Sequence, residues 1–402
     1  MPIPVVGVAR LWRVARQHGM DRRRFLQALT AGGAAAVLAA CGEATTQRTQ
    51  ARFKDATPFI VHEDGMSLET RLEDLPEGLI TPVRQFFVRN NSVSLDVNVE
   101  SWRLSIEGDA VTNPIQLSYD DIRKMPSRTF VSYLECAGNH RAMFDLVKGQ
   151  KAKGTQWRTG GVGNGEWTGV SMRDVLQLAG VSDDAASVLL IGLDTESPEE
   201  GFRRVLSAEK ARHPDTLLAY GMNGEMLPRD HGFPLRALIP GWVGSTNVKW
   251  LGRIVVSKQP IWTRNNTTSY VLIGDAYPPE SEAAGKVATT QVIKSALALP
   301  WPAKLKAESQ RIHGFAHSPD GPITTVEWSQ DSGNTWNEAE GSGPQVQYSW
   351  VRFEFDWDPD PGEYTIMTRA TDWAGNTQPD EIPFNEKGYL FNQPLPHPVR
   401  VT

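Results

Sequence analysis

The residues in this chain best suited to chemistry are one internal cysteine, several arginines and lysines, and the short polar motifs around them. Cys136 lies in Tyr133-Leu-Glu-Cys136-Ala-Gly-Asn-His-Arg141, between an apolar run and a Gly-Asn turn. A lone cysteine is ordinarily a small buried hydrophobe. Here the turn can expose the sulfur, and Arg141 five residues on favours the thiolate, the ligand type that soft metals select. A second cluster, Leu227-Pro-Arg-Asp-His231-Gly-Phe-Pro-Leu-Arg236, runs on to Gly241-Trp-Val-Gly-Ser-Thr-Asn-Val-Lys249-Trp250. Either His231, Arg236 and Lys249 converge with Gly-rich backbone N–H groups on an anion such as a phosphate, or they are three solvated surface charges. In Phe86-Phe87-Val88-Arg89-Asn90-Asn91, Arg89 follows an apolar run. A buried arginine is costly unless paired, so it meets either a structural carboxylate or an anionic ligand.

Elements must hold these groups in place. Leu95, Val97 and Val99, then Trp102, Leu104 and Ile106, alternate with polar residues, which predicts two strands joined at a bend over Ser94 to Ile106. Ser171 to Ala179 reads as a short helix with an N-cap serine, Asp174 three positions on and a closing Gly180. A second helix starts near Ser207 or Ala208, and Val248, Trp250, Ile254 and Val256 give a further strand signal. Strands and short helices thus mix up to about residue 280, an α+β pattern. After about residue 285 the helical period disappears. Thr324 to Ser329, Val351 to Trp357 and Tyr364 to Ala370 are strands separated by turns such as Asp360-Pro361-Gly362, a spacing that predicts a β-sandwich of roughly 110 residues.

The chain has 402 residues and a formal net charge of −6, long enough for two or three domains. Six arginines against Asp21 make the first 41 residues basic and leave the rest distinctly acidic. That balance excludes nucleic acid as a partner, since its binding needs clustered cations, and it suits a basic protein partner. Two cysteines, Cys41 and Cys136, exclude a disulfide framework, a CxxC zinc site and a c-type haem. Arg22-Arg23-x-Phe25-Leu26 ahead of the Ala/Gly-rich run Ala28 to Ala40 resembles the twin-arginine signal of bacterial proteins exported already folded. Leu38-Ala-Ala-Cys41 resembles a lipobox, with Cys41 as the lipid-anchored residue; the alternative is plain cleavage near Ala40. Residues 1–41 are therefore read as an address, and 42–74 as a polar tether and lead-in.

ECAGNHR, FVRNN, RDHGFPLR and GWVGSTNVKWLGRI occur here in that order, and the layout resembles the sulfite oxidase family of molybdenum enzymes over about residues 75 to 400. Bacterial exported sulfite dehydrogenases and sulfane dehydrogenase subunits look nearest. The resemblance implies a mixed molybdopterin-binding domain over 75–284 followed by an immunoglobulin-like dimerisation domain over 285–402, and hence a homodimer. It implies molybdenum bound by a pyranopterin dithiolene, with Cys136 as the protein thiolate. His231, Arg236, Lys249 and Ser245 would hold the pterin and its phosphate, with Asp194 a further contact. Asn91 stands where many members have a cofactor-contacting histidine. Arg89 and Arg141 match arginines facing the substrate anion, Trp157 a pocket tryptophan and Tyr270 the active-site tyrosine. A third substrate arginine aligns with Pro398, leaving Arg400 two residues on as its stand-in. The implied activity is oxidation of sulfite to sulfate, with electrons leaving to an external cytochrome c. The alternatives are carrier-bound sulfane sulfur, a sulfoxide or nitrate as substrate, or a non-catalytic surface lipoprotein.

Overall fold

The computed structural model describes residues 58–402. The address expected over 1–41, Cys41 and the tether before Pro58 lie outside the described residues. From Pro58 the lead-in folds: Phe59–Val61 pairs antiparallel with Leu68–Thr70, and Leu68, Glu69 and Thr70 are buried.

Strands dominate, and the α-helices Tyr119–Lys124, Arg141–Lys148, Met172–Leu178 and Ala208–Ala211 are short. One antiparallel sheet sets Ser127–Glu135, Val162–Ser171, Leu217–Met222 and Glu225–Met226 side by side, with Arg236–Leu238 also on Leu217–Met222. A second runs Ile115–Leu117, Leu104–Glu107, Leu251–Ser257, Ser187–Gly192, Arg203–Ser207. Its one parallel pairing joins Leu104–Glu107 to Leu251–Ser257. Leu104, Ile106, Leu190, Ile254 and Val256 from this sheet share a single core with Val170 and Leu218 from the other. Burying those apolar faces is what holds the two sheets together.

Of the two strands expected over Ser94 to Ile106, only Leu104–Glu107 forms. Val97 and Val99 do lean on the core, but no neighbouring strand takes their backbone, and the chain turns as Trp102 N donates to Asn98 O at 3.1 Å. The expected helix is present at Met172–Leu178 with Ser171 at its N-cap, yet Ser171 makes no capping bond and its hydroxyl is buried without a partner. Asp174 pairs with Arg173 instead. A complete capping box forms at Ser118 and Asp121, and Ser207 caps the short helix at Ala208 through Lys210 N at 3.1 Å. The strand signal around Val248 begins only at Leu251, because Trp250 turns the chain with a φ of 49°.

Among the described residues no helix falls after residue 285. Lys294–Leu297, Gln310–His317, Val351–Trp357 and Glu340–Ser342 make a four-stranded sheet. Ala303–Leu305, His397–Val401, Gly362–Asp372, Ile323–Ser329 and Asn337–Glu338 make a five-stranded one. Ile312, Phe353, Phe355, Ile366 and Val399 join the two in one core. Residues of this region also reach back: Phe384, Phe391 and Leu395 pack on Met143 and Phe144 of Arg141–Lys148.

Candidate active site

Strand Ser127–Glu135 delivers Cys136 to the site. Past it the chain makes a tight turn, with Asn139 N donating to Cys136 O at 2.9 Å and Arg141 N to Gly138 O at 3.0 Å. Gly138 leaves room for the Arg141 guanidinium, which would lie 2.5 Å from a Cβ at that position. A second turn, Gly244–Thr246, lies against the same strand end. A Cβ on Gly244 would stand 2.6 Å from the Glu135 carbonyl oxygen, so only glycine lets Ser245 approach Cys136.

These turns open onto a cavity whose wall holds Arg89, Asn91, Cys136, Asp194, His231, Arg236, Ser245, Lys249 and Tyr270. The sequence motifs therefore converge, and His231, Arg236 and Lys249 are not scattered surface charges. His231 and Arg236 are almost completely buried. Arg236 donates to His231 O at 2.9 Å and Asn247 O at 3.1 Å, over the Trp167 ring. Burial pushes its pKa down to about 9. Burial first, then Lys249 and Arg236, push His231 down to about 3, so its imidazole is neutral at physiological pH. Lys249 donates to Asn90 and to Asp230 O. Asp194 accepts from Phe202 N at 2.9 Å and from the hydroxyls of Ser92 and Ser197, which fixes the loop that carries it.

On the same wall, Arg89 donates to Asn91 Oδ1 at 3.0 Å, and Asn91 Nδ2 donates to the Tyr270 hydroxyl at 3.3 Å. Tyr270 follows a single π-helical turn, Asn265–Ser269, and stacks on Tyr389 at 5.6 Å. Arg141 and Trp157 do not line the cavity. Arg141 donates to Lys387 O at 2.6 Å and Thr155 O at 2.7 Å, with its guanidinium over the Tyr389 ring. Trp157 is wholly buried between His62 and the cavity residue Phe87. Arg400 does not reach the site either: it lies on strand His397–Val401, largely exposed and paired with Glu363 at 3.4 Å.

Other residues in or beside the cavity were not singled out by the sequence. Asn90 and Phe87 sit inside the FFVRNN motif and were within reach. Phe202, Arg204 and Tyr389 come from segments whose pattern says only strand or loop.

The chemistry of the cavity limits what it can hold. Arg236 Nε and Ser245 Oγ are buried without a hydrogen-bond partner, and such donors are costly until an acceptor reaches them. An oxyanion such as phosphate would supply it. Cys136 adds one sulfur, and among the described residues no three His, Cys, Asp or Glu side chains gather as a metal cage. Among the described residues, a metal on this wall would find one protein sulfur, Cys136, and would need its remaining ligands from outside the protein.

Comparison with known proteins agrees. Residues 90–265 match the oxidoreductase molybdopterin binding domain, and residues 287–400 the Mo-co oxidoreductase dimerisation domain. The mitochondrial sulfite oxidase of Mus musculus is 34% identical over 337 residues, covering 80% of this chain and 61% of that protein. The chain thus spans about three fifths of the length of the mammalian relatives it matches. The sulfite oxidase of Arabidopsis thaliana is 31% identical over 359 residues, covering 79% of this chain and 87% of that protein. The sulfane dehydrogenase SoxCD of Paracoccus pantotrophus matches in structure with a TM-score of 0.73 and 28% identity, over 84% of this chain and 86% of that one. With both family models matched in order, and with Cys136, Arg89, Arg236 and Lys249 lining one cavity, the chain belongs to the sulfite oxidase family of molybdopterin oxidoreductases.

Proposed function

We propose that this protein oxidises sulfite to sulfate at a molybdenum cofactor held by Cys136 and passes the electrons to an external cytochrome c. The observation that carries this reading is a single cavity whose wall brings the Cys136 sulfur and cations suited to a phosphate together with Arg89, Asn91 and Tyr270. When bound, molybdenum and its pyranopterin dithiolene supply the two-electron couple and the oxygen-atom transfer.

The chain's own residues do the rest. Arg236, Lys249 and Ser245 hold the phosphate, and neutral His231 offers a ring nitrogen to the pterin without adding charge. Arg89 presents a planar guanidinium to the oxyanion, a geometry that suits bidentate binding. Asn91, tied to both Arg89 and Tyr270, keeps the two at a fixed separation. Tyr270 donates its hydroxyl hydrogen bond to the anion. Arg141 adds positive charge from behind the Tyr389 ring, and Trp157 backs Phe87.

Carrier-bound sulfane sulfur is the second reading, favoured by the structural likeness to a sulfane dehydrogenase along nearly the whole described chain. In the same proposal the C-terminal sheets form an immunoglobulin-like dimerisation domain, and the protein works outside the cytoplasm, exported folded and anchored at Cys41. The test is a substrate panel on molybdenum-loaded protein: sulfite, a thiosulfonate mimic of carrier-bound sulfur, dimethyl sulfoxide and nitrate. Sulfite is expected to turn over fastest, with sulfate as product. Turnover of the thiosulfonate alone would replace sulfite with sulfane sulfur, and none at all would leave a non-catalytic lipoprotein.

A further inference from the structure

Among the described residues, Arg204 is a buried charge that the cavity chemistry leaves unexplained. Its side chain is completely buried, and among the described residues no carboxylate forms an ion pair with it. Strand Arg203–Ser207 turns Arg204 and Leu206 inward together, a position that ordinarily takes an aliphatic residue. Its guanidinium instead donates to the carbonyl of Asn265 and to that of Ala288 at 2.7 Å, lies 3.4 Å from Thr246 Oγ1, and sits 5.2 Å from the centre of the Tyr270 ring. Asn265 opens the π-helical turn that leads into Tyr270. Ala288 N in turn donates to Tyr270 O at 2.9 Å. One cation therefore grips the turn before Tyr270, the strand beside it and the face of its ring.

A buried cation without a counterion costs several kcal/mol. The same two carbonyls could be satisfied by neutral donors, so the charge itself needs a purpose. Burial pushes its pKa down to about 10, and the nearby Tyr270 and Tyr389 phenols oppose that, which leaves it charged at physiological pH. Arg204 is absent from the cavity wall, so it acts on a bound anion only through Tyr270.

We propose that Arg204 is a positioning residue that fixes the Tyr270 hydroxyl for the reacting anion and supplies positive charge behind it, the charge that Arg400 does not bring. This rests on the reading of Tyr270 as the group that donates to the substrate. Because Arg204 touches Tyr270 and not the anion, a substitution that keeps the charge but loses the planar fork lowers kcat and leaves KM nearly untouched.

Two measurements test it. In protein matched for molybdenum content, Arg204→Lys is expected to lower sulfite kcat by about tenfold with KM within about twofold, and in a Tyr270→Phe background to cost less than about twofold. Wild-type kcat in Arg204→Lys, or an equal loss in both backgrounds, overturns the proposal, since a purely structural role would not depend on the phenol. In cofactor-free protein, amide exchange over residues 263–272 is expected to quicken about tenfold in Arg204→Lys and Arg204→Met while residues 59–70 are unchanged. Unchanged exchange over 263–272 also overturns it. Wild-type protein that loads molybdenum yet ignores sulfite would instead overturn the sulfite reading, and the exchange measurement would still decide for Arg204.

Discussion

Arg89 stands in a place where burial works against its charge, yet Tyr270, the Cys136 sulfur, Asp64 and Tyr389 together hold its pKa above the ordinary guanidinium value. The site is thus built to keep a cation beside the sulfur. Arg89→Gln keeps much of the shape and removes the charge, so KM for sulfite is expected to rise about 10- to 100-fold at constant molybdenum content. An unchanged KM in steady-state kinetics would remove Arg89 from the anion site. Arg236→Met leaves His231 O and Asn247 O without their donor and takes a cation from the proposed phosphate site. Purified protein is expected to carry severalfold less pterin, read by fluorescence after oxidation. At this scale the sequence is informative where a motif concentrates polar residues around glycines, as in RDHGFPLR and GWVGSTNVKW. It is silent for Arg204 and Tyr389. Neither has a neighbour in sequence that shares its task, and their convergence on Tyr270 exists only in the folded chain.

The strand that ends at Cys136 is anchored from the opposite half of the molecule. Glu135 and Lys294 are buried and 2.6 Å apart, Gln291 Nε2 donates to the Glu135 carbonyl at 2.8 Å, and His317 lies 3.7 Å from the second Glu135 oxygen. Lys294→Met would leave an uncompensated buried carboxylate, a change that costs about 3–5 kcal/mol. A large fall in the denaturation midpoint is expected, with most of it restored by adding Glu135→Gln. A midpoint unmoved by Lys294→Met would show that the pair is not the anchor. Among the elements, Val351–Trp357 was legible because burial alternates along it, and the helix at Ala208 because its capping serine is real. Ser94 to Val99 misled because partial burial on one side gives the same alternation as a strand, while pairing depends on a neighbour that the sequence does not reveal. The helix Arg141–Lys148 stayed hidden because it starts from a left-handed His140 with no side-chain cap.

For the molecule as a whole, acid is the expected weakness. Burial pushes His317 and His397 down to about 4 and His231 to about 3, and holds His140 well below its usual value. Unfolding restores ordinary values near 6.5, so the unfolded chain binds protons that the folded one refuses. Stability is therefore complete above about pH 6.5 and falls as pH drops toward 4, each histidine contributing a loss on the order of 1 kcal/mol by pH 5.5. His397→Gln retains a donor for Pro300 O and cannot take up the proton, so the plot of unfolding free energy against pH should be shallower between 6.5 and 4. An unchanged slope would exclude His397 as a source of it. The acidic balance beyond the basic first 41 residues should draw in a basic cytochrome, and the rate of its reduction is expected to fall as salt is raised; a salt-independent rate would rule out that steering. The central claim, a molybdenum site that oxidises sulfite through Cys136, is tested most directly by sulfite-dependent ferricyanide reduction in protein shown to contain molybdenum, with Cys136→Ala as control. Turnover in the wild type that disappears in the variant is the predicted result; no turnover from molybdenum-loaded wild type, or turnover that survives Cys136→Ala, would contradict it.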